Sequence, residues 1–142
     1  MARIDFYVVA GSGDPARQRF ACRLAEKAYR HKNSVHIEVA DSASAQIMDE
    51  LLWTFRDGSF VPHDLTGLGG SEVTAPVTVG THPPDQRQPD LVINLTDKIP
   101  DGIDAFARIA EIVTSDEDSK VRSRQHFATY RKDGHTLETH KI

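Results

Sequence analysis

IDFYVVA-GSG-DPARQRFACRLAEKAYRHKN-SVHIEVA occupies residues 4–40, and this stretch decides the fold class. Apart from Asp5, its first seven residues are β-branched, aromatic or small, and a glycine-containing turn ends them, which is typical of a buried strand. Asp14 and Pro15 are favoured residues at a helix start, and apolar residues then recur on one helical face. Residues 34–40 alternate apolar and polar side chains and predict a second strand. A strand, a helix and a strand in succession predict a parallel sheet.

The same alternation continues along the chain. Helices are predicted at residues 15–31, 41–55, 103–110 and 118–133, with Gly134 placed to cap the last one. Strands are predicted at residues 4–10, 34–40, 76–80, 91–95 and 135–140, with a short extended piece at 60–62 and loops at 67–70 and 82–89. Residues 111–114 fit either a continuation of the third helix or a strand. We therefore expect one α/β domain over residues 1–142, with an open, mostly parallel (mixed), Rossmann-like sheet and helices on both faces.

Composition narrows the class of protein. The chain has 142 residues, the size of one ordinary domain, and its 39% hydrophobic and 27% charged content is typical of a globular protein. Cys22 is the only cysteine, so no intramolecular disulfide can form, which fits a reducing compartment. The amino terminus lacks the apolar segment of a signal peptide, and no apolar run is long enough to span a bilayer. These features predict a cytoplasmic protein.

The turn at residues 11–16, GSGDPA, fits the G-x-G-x-x-A fingerprint of a dinucleotide site, and Glu38 lies near the end of the next strand. Asp14, however, places a negative charge where a pyrophosphate would lie. The spacing from Gly11 to Glu38 is also longer than the usual value of about 20 residues. A plain strand-to-helix turn is the favoured interpretation, and a small nucleotide-binding enzyme using Gly11 to Ala16 is the alternative.

Other chemical motifs are missing from the sequence. The seven histidines include no H-x-x-x-H pair, and G-x-S-x-G does not occur. Cys22 lies beside the apolar face of the first predicted helix, as a small hydrophobic residue would. Asp116, Glu117 and Asp118 fit a helix start better than a pair of catalytic acids. We expect no catalytic residue, no cofactor and no metal ion.

The last predicted helix is strongly basic. Between residues 120 and 132 there is no acidic residue and there are five basic ones, in a chain whose net charge is −4. Helical spacing brings Lys120, Arg124, Phe127 and Arg131 to one side, and Tyr130 is a second aromatic residue there. Basic residues near a helix end also complement its dipole and stay solvated. The more specific interpretations of this basic helix are a binding surface for an acidic peptide or for single-stranded nucleic acid. The acidic remainder of the chain favours the peptide.

One family has similar motifs. Leu51-Leu52-Trp53 followed by SFVPHDL at residues 59–65 resembles the helix end and SFVPHNL signature of the chi subunit of bacterial DNA polymerase III. Phe6-Tyr7, LVINL at residues 91–95, and Tyr130-Arg131 with Gly134 lie where that family has similar residues. The resemblance extends over nearly the whole chain.

This resemblance implies a non-catalytic accessory protein of the clamp-loader assembly. It implies two partners, which are the psi subunit and the acidic C-terminal tail of single-stranded-DNA-binding protein, a tail that ends in phenylalanine. Matched by position, the peptide site would comprise Trp53, Phe60, Val113, Lys120, Arg124, Phe127 and Arg131. Ala128 stands where a lysine is expected. Ordinary core packing is the alternative role for Trp53 and Phe60. Candidates for the psi contact are Leu68, Val73, Ile103 and Phe106.

Overall fold

A computed structural model describes residues 2–58, 60–66, 75–84 and 88–142. The described residues form a seven-stranded sheet in which every pair of neighbouring strands is parallel. The strands are β1 (Arg3–Val8), β2 (Val35–Glu38), β3 (His63–Leu65), β4 (Val77–Gly80), β5 (Leu91–Asn94), β6 (Arg108–Val113) and β7 (Thr136–Lys141), in the spatial order β3-β4-β2-β5-β6-β1-β7. The helices are α1 (Gly13–Arg30), α2 (Ser42–Thr54) and α3 (Glu117–Lys132).

The helices cover both faces of the sheet, which confirms the predicted α/β fold. Helices α1 and α2 pack on one face, where they share a core with alternate residues of β2, such as Val35 and Ile37. Helix α3 packs on the other face, where Tyr130 lies against Ile4 and Ile109. The strands β2, β4 and β5 are buried along their whole length, as expected for a parallel sheet with two covered faces.

Two sequence predictions need correction. The helix expected at residues 103–110 is a 3₁₀ turn at Ile103–Ala105, and the chain then enters β6, so Val113 lies at the end of a strand. The strand β3 was not predicted beyond an extended piece at residues 60–62. A further difference concerns α1, which begins at Gly13 after Ser12, so Asp14 is not its N-cap. The glycine-rich loop at 67–70 and part of the loop at 82–89 lie outside the described residues.

No helix in the described ranges combines the length and the apolar character that crossing a bilayer requires.

Candidate functional site

A buried polar cluster beneath helix α3 fixes the rotation of the helix about its own axis. Glu111 on β6 is 3% exposed and accepts hydrogen bonds from the Tyr130 hydroxyl (2.8 Å) and from the Asn94 amide (2.9 Å). His126 faces the same carboxylate through Nδ1 at 3.4 Å, and its Nε2 lies 3.1 Å from the Asp97 carbonyl oxygen. Because a buried carboxylate needs these partners, the side of α3 that bears His126 and Tyr130 must point inwards.

The cluster also sets protonation states. Burial lowers the pKa of His126, but the hydrogen bond and the charge of Glu111 outweigh burial, so the pKa is raised overall. Both ring nitrogens of His126 face acceptor oxygens, which the doubly protonated ring satisfies. Burial, followed by the charge of Glu111, raises the pKa of Tyr130 and keeps its hydroxyl a donor. Tyr130 is fully buried, so it does not belong to the exposed aromatic face expected from the sequence.

The outward side of α3 borders two adjoining depressions, which we call the α3 surface. The first has a volume of about 230 Å³ and lies between α3 and the strands β1, β6 and β7. The second has a volume of about 540 Å³ and lies along the carboxyl-terminal half of α3. Arg124 and Phe127 line both. The first is also lined by Phe6, Val8, Val113, Lys120, Ser123 and Thr139, and the second by Ala128, Arg131 and Lys132.

Phe127 forms the apolar centre of the α3 surface. Its ring centroid lies 5.4 Å from that of Phe6, in a tilted arrangement that fixes the ring over the sheet. Val113 is 9% exposed at the end of β6 and closes one side. Phe6 and Val8 also line the first depression, although neither was predicted as a site residue. Alternation along β1 could have indicated them, because residues 4, 6 and 8 share one face of a strand.

Basic side chains surround this apolar centre. Lys120, Arg131 and Lys132 are exposed and make no ion pair with any of the residues that the structure describes. Arg124 lies 3.6 Å from Glu117, but both side chains are at least 70% exposed, and such pairs contribute little. Arg122 is different, because it pairs with Asp97 at 3.0 Å. The α3 surface therefore offers several cations to a bound anion.

The structure does not bring Trp53 and Phe60 to this surface. Trp53 lies in the last turn of α2, and Phe60 lies beyond the end of that helix. Their ring centroids are 5.7 Å apart, and the ring centroid of Trp53 lies 4.7 Å from that of His63 on β3. Helix α2 lies on the other face of the sheet, and β3 is four strand positions away from β6, roughly 19 Å. The seven predicted residues thus divide into a group of five on the α3 surface and a separate pair, which we call the edge patch.

The two residues of the edge patch are not part of the hydrophobic core. The Trp53 side chain is 54% exposed and that of Phe60 is 62% exposed, so the packing alternative does not apply to them. Two large exposed aromatic side chains in contact form a contiguous apolar area, which makes the edge patch a candidate interaction surface. Ser59, which precedes Phe60 in the signature, lies outside the described residues, as do Leu68 and Val73.

Two candidates for the psi contact belong to the core. Phe106 is 6% exposed, and Ile103 is partly buried against the same cluster under α3. Neither offers the apolar area that a permanent partner needs.

The turn at residues 11–16 is occupied by the protein's own carboxylate. Gly13, at a φ of +75°, donates its N–H to Asp116 Oδ1 at 2.9 Å, and Asp116 also accepts from Thr114 and Ser119. A side chain at Gly11 would come within 2.6 Å of the Ala16 Cβ, so glycine there serves close packing. Glu38 bonds His36 at 3.1 Å instead of facing the turn. A phosphate at this turn would meet the charges of Asp116 and Asp14.

Fold and surfaces together define an α/β domain with two separate exposed surfaces, one cationic and one aromatic. Comparison with known proteins gives the family. Residues 1–138 match the family described as DNA polymerase III chi subunit, HolC, and the chain belongs to that family.

Three relatives show the extent of the similarity. The chain is 38% identical to DNA polymerase III subunit chi of Pseudomonas aeruginosa (strain PAO1) over 142 residues, covering 100% of this chain and 98% of that protein. It is 31% identical to the subunit of that name from Escherichia coli (strain K12), covering 98% and 97% of the two chains. It is 29% identical to the Haemophilus influenzae subunit, covering 97% and 96%.

Proposed function

We propose that this chain is a non-catalytic accessory subunit of the clamp-loader assembly that connects two partners. The α3 surface binds the acidic C-terminal tail of single-stranded-DNA-binding protein, and the edge patch binds the psi subunit. The observation that carries the proposal is an apolar depression of about 230 Å³ bordered by Lys120 and Arg124.

The α3 surface has the chemistry that such a tail requires. A terminal phenylalanine needs an apolar slot, and Phe127, Val113 and Phe6 supply one. Its terminal carboxylate needs a cation at the rim, and Arg124 lines both depressions. Acidic residues upstream in the tail then extend along the second depression, towards Arg131 and Lys132. Since these side chains are exposed, salt screens the attraction.

The edge patch suits a lasting protein partner. Stable interfaces contain a buried aromatic anchor surrounded by polar residues, and tryptophan is enriched among the residues that dominate binding energy. Trp53 and Phe60 are exposed, in contact with each other, and backed by His63. A partner that covers them removes a large apolar area from water.

Calorimetric titration with a short acidic peptide ending in Pro-Phe tests the α3 surface. We expect a dissociation constant on the order of micromolar at low salt, and weaker binding at high salt. Arg124→Ala removes a charge-assisted hydrogen bond, so we expect affinity to fall about tenfold or more.

Arg122→Ala is the matched control. It removes one cation from the same helix, but Arg122 is engaged with Asp97 and does not line the depressions. We expect peptide affinity to change by less than about threefold, through loss of long-range attraction alone. Equal losses in the two variants would contradict the assignment of Arg124 to the site.

A further inference from the structure

A third surface lies on the opposite side of the sheet from α3. A groove of about 680 Å³ runs beside α1 and is lined in part by Tyr7 of β1 and Phe20 of α1. Arg19, Arg23 and Lys27 border it. We call this feature the α1 groove. It shares no lining residue with the α3 surface and does not include Trp53 or Phe60.

The three cations form a row. They are spaced four residues apart on one helix, about 6 Å from one to the next along the axis. All three are exposed, and none makes an ion pair with a described residue. Other cations at the groove are already engaged, because Arg56 pairs with Glu26 at 2.7 Å and Arg108 pairs with Asp5 at 3.0 Å.

The helix dipole does not account for this row. Lys27 lies in the last turn of α1, where a cation complements the dipole, but Arg19 and Arg23 lie in the first half and middle of the helix. Nor does overall composition account for it, since the chain carries a net charge of −4. A row of three unpaired cations on an acidic protein concentrates positive potential along the groove.

Aromatic rings form part of the groove wall. The rings of Tyr7 and Phe20 lie 5.4 Å apart, and the Tyr7 ring stacks on His140 at 5.0 Å with an interplanar angle of 20°. Both rings are partly exposed. Stacking on His140 fixes the Tyr7 ring, which stays partly exposed at the groove.

We propose that the α1 groove binds single-stranded DNA, with phosphates along Arg19, Arg23 and Lys27 and a base on Tyr7. A cationic row beside fixed aromatic rings is the arrangement that binds single strands without sequence preference. An acidic peptide would use the cations but would leave Tyr7 without a role. The chain belongs to a DNA polymerase III subunit family, so DNA is the polyanion that we assign to the groove. This surface is independent of both partners proposed above.

Fluorescence anisotropy with a labelled oligothymidylate of about 15 nucleotides, a length near the upper range for such sites, tests the proposal. For the whole protein we expect binding at about 50 mM salt that weakens steeply towards 200 mM. Arg23→Ala/Lys27→Ala should lower the slope of log K against log salt by about 1.4, or 0.7 for each lost phosphate contact. Lys98→Ala/Arg122→Ala removes the same charge at two positions that line neither the α1 groove nor the α3 surface, and it should leave the slope unchanged.

Tyr7→Leu separates DNA from an acidic peptide. It keeps an apolar side chain beside Phe20 but removes the ring, so we expect DNA affinity to fall about fivefold or more with the salt slope retained. The proposal would be overturned if the unaltered protein did not bind the oligothymidylate at low salt, or if Arg23→Ala/Lys27→Ala bound it with unchanged affinity. It would also be overturned if polyglutamate displaced the DNA and Tyr7→Leu left the DNA affinity unchanged.

Discussion

Glu111 shows how one buried residue determines the shape of an exposed site. Its carboxylate is enclosed between β6 and α3, and its partners His126, Tyr130 and Asn94 fix the rotation of the helix above it. That rotation turns Phe127 and Arg124 outwards. No motif marks Glu111 in the sequence, because its role depends on a neighbouring strand and a helix that are distant along the chain.

His126 should make stability depend on pH. Its folded-state pKa is raised above the ordinary value of 6.5, so its contribution is complete below about pH 6.5 and is lost as the pH rises through the raised pKa. We expect the free energy of unfolding to decline over that range. His126→Gln should show a smaller decline in urea denaturation at a series of pH values. A decline of equal size in both proteins would show that the buried histidine is not its source.

Residue spacing predicted part of the site. Steps of four, three and four place Lys120, Arg124, Phe127 and Arg131 on one side of α3. In the structure Arg124 and Phe127 line both depressions, Lys120 lines the first and Arg131 lines the second. Trp53 and Phe60 were grouped with them by resemblance alone. Their separation depends on sheet order, which the local sequence pattern does not contain.

Among the helices and strands, β6 differs most from the element that was predicted. A helix was predicted at residues 103–110, where the apolar residues Ile103, Phe106 and Ala110 have helical spacing. The chain instead enters a strand between β5 and β1, where both faces are buried and a nearly continuous apolar run is expected. Periodicity cannot distinguish a fully buried strand from a short helix, and β3 was missed because it has three residues.

Asp116 joins two elements. It caps α3 through Ser119 and binds Gly13 at the start of α1. The hydrogen bond from the Thr114 hydroxyl, followed by that from the Gly13 N–H, lowers the pKa of Asp116. We expect Asp116→Asn to lower the thermal midpoint more than Asp118→Asn does, since Asp118 retains only an interaction with the helix dipole. The stabilisation by Asp116 should persist above its unfolded-state pKa and disappear as the pH falls below about 3.8 through the lowered value.

Differential scanning calorimetry at neutral pH compares the two variants directly. Both changes remove one negative charge at the amino-terminal end of α3, so net charge cannot explain a difference between them. Equal midpoints would mean that the contact between Asp116 and Gly13 does not hold the two helices.

Across the whole molecule, the sheet separates the two surfaces to which we assign partners. The edge patch lies near β3 on the face covered by α1 and α2, while the α3 surface lies near β6, β1 and β7 on the other face. The proposed adaptor requires such separation, because each partner would cover its own surface without meeting the other. The sequence predicted the α/β fold correctly from the β-α-β pattern at residues 4–40, but not this arrangement.

The most direct test is calorimetric titration of the acidic peptide into the chain alone and into its complex with psi. We predict equal dissociation constants in the two titrations. Trp53→Ala should weaken psi binding and leave peptide affinity unchanged, and Arg124→Ala should do the reverse. A psi complex that no longer binds the peptide, or a Trp53→Ala chain that loses peptide affinity as Arg124→Ala does, would contradict an adaptor with two separate surfaces.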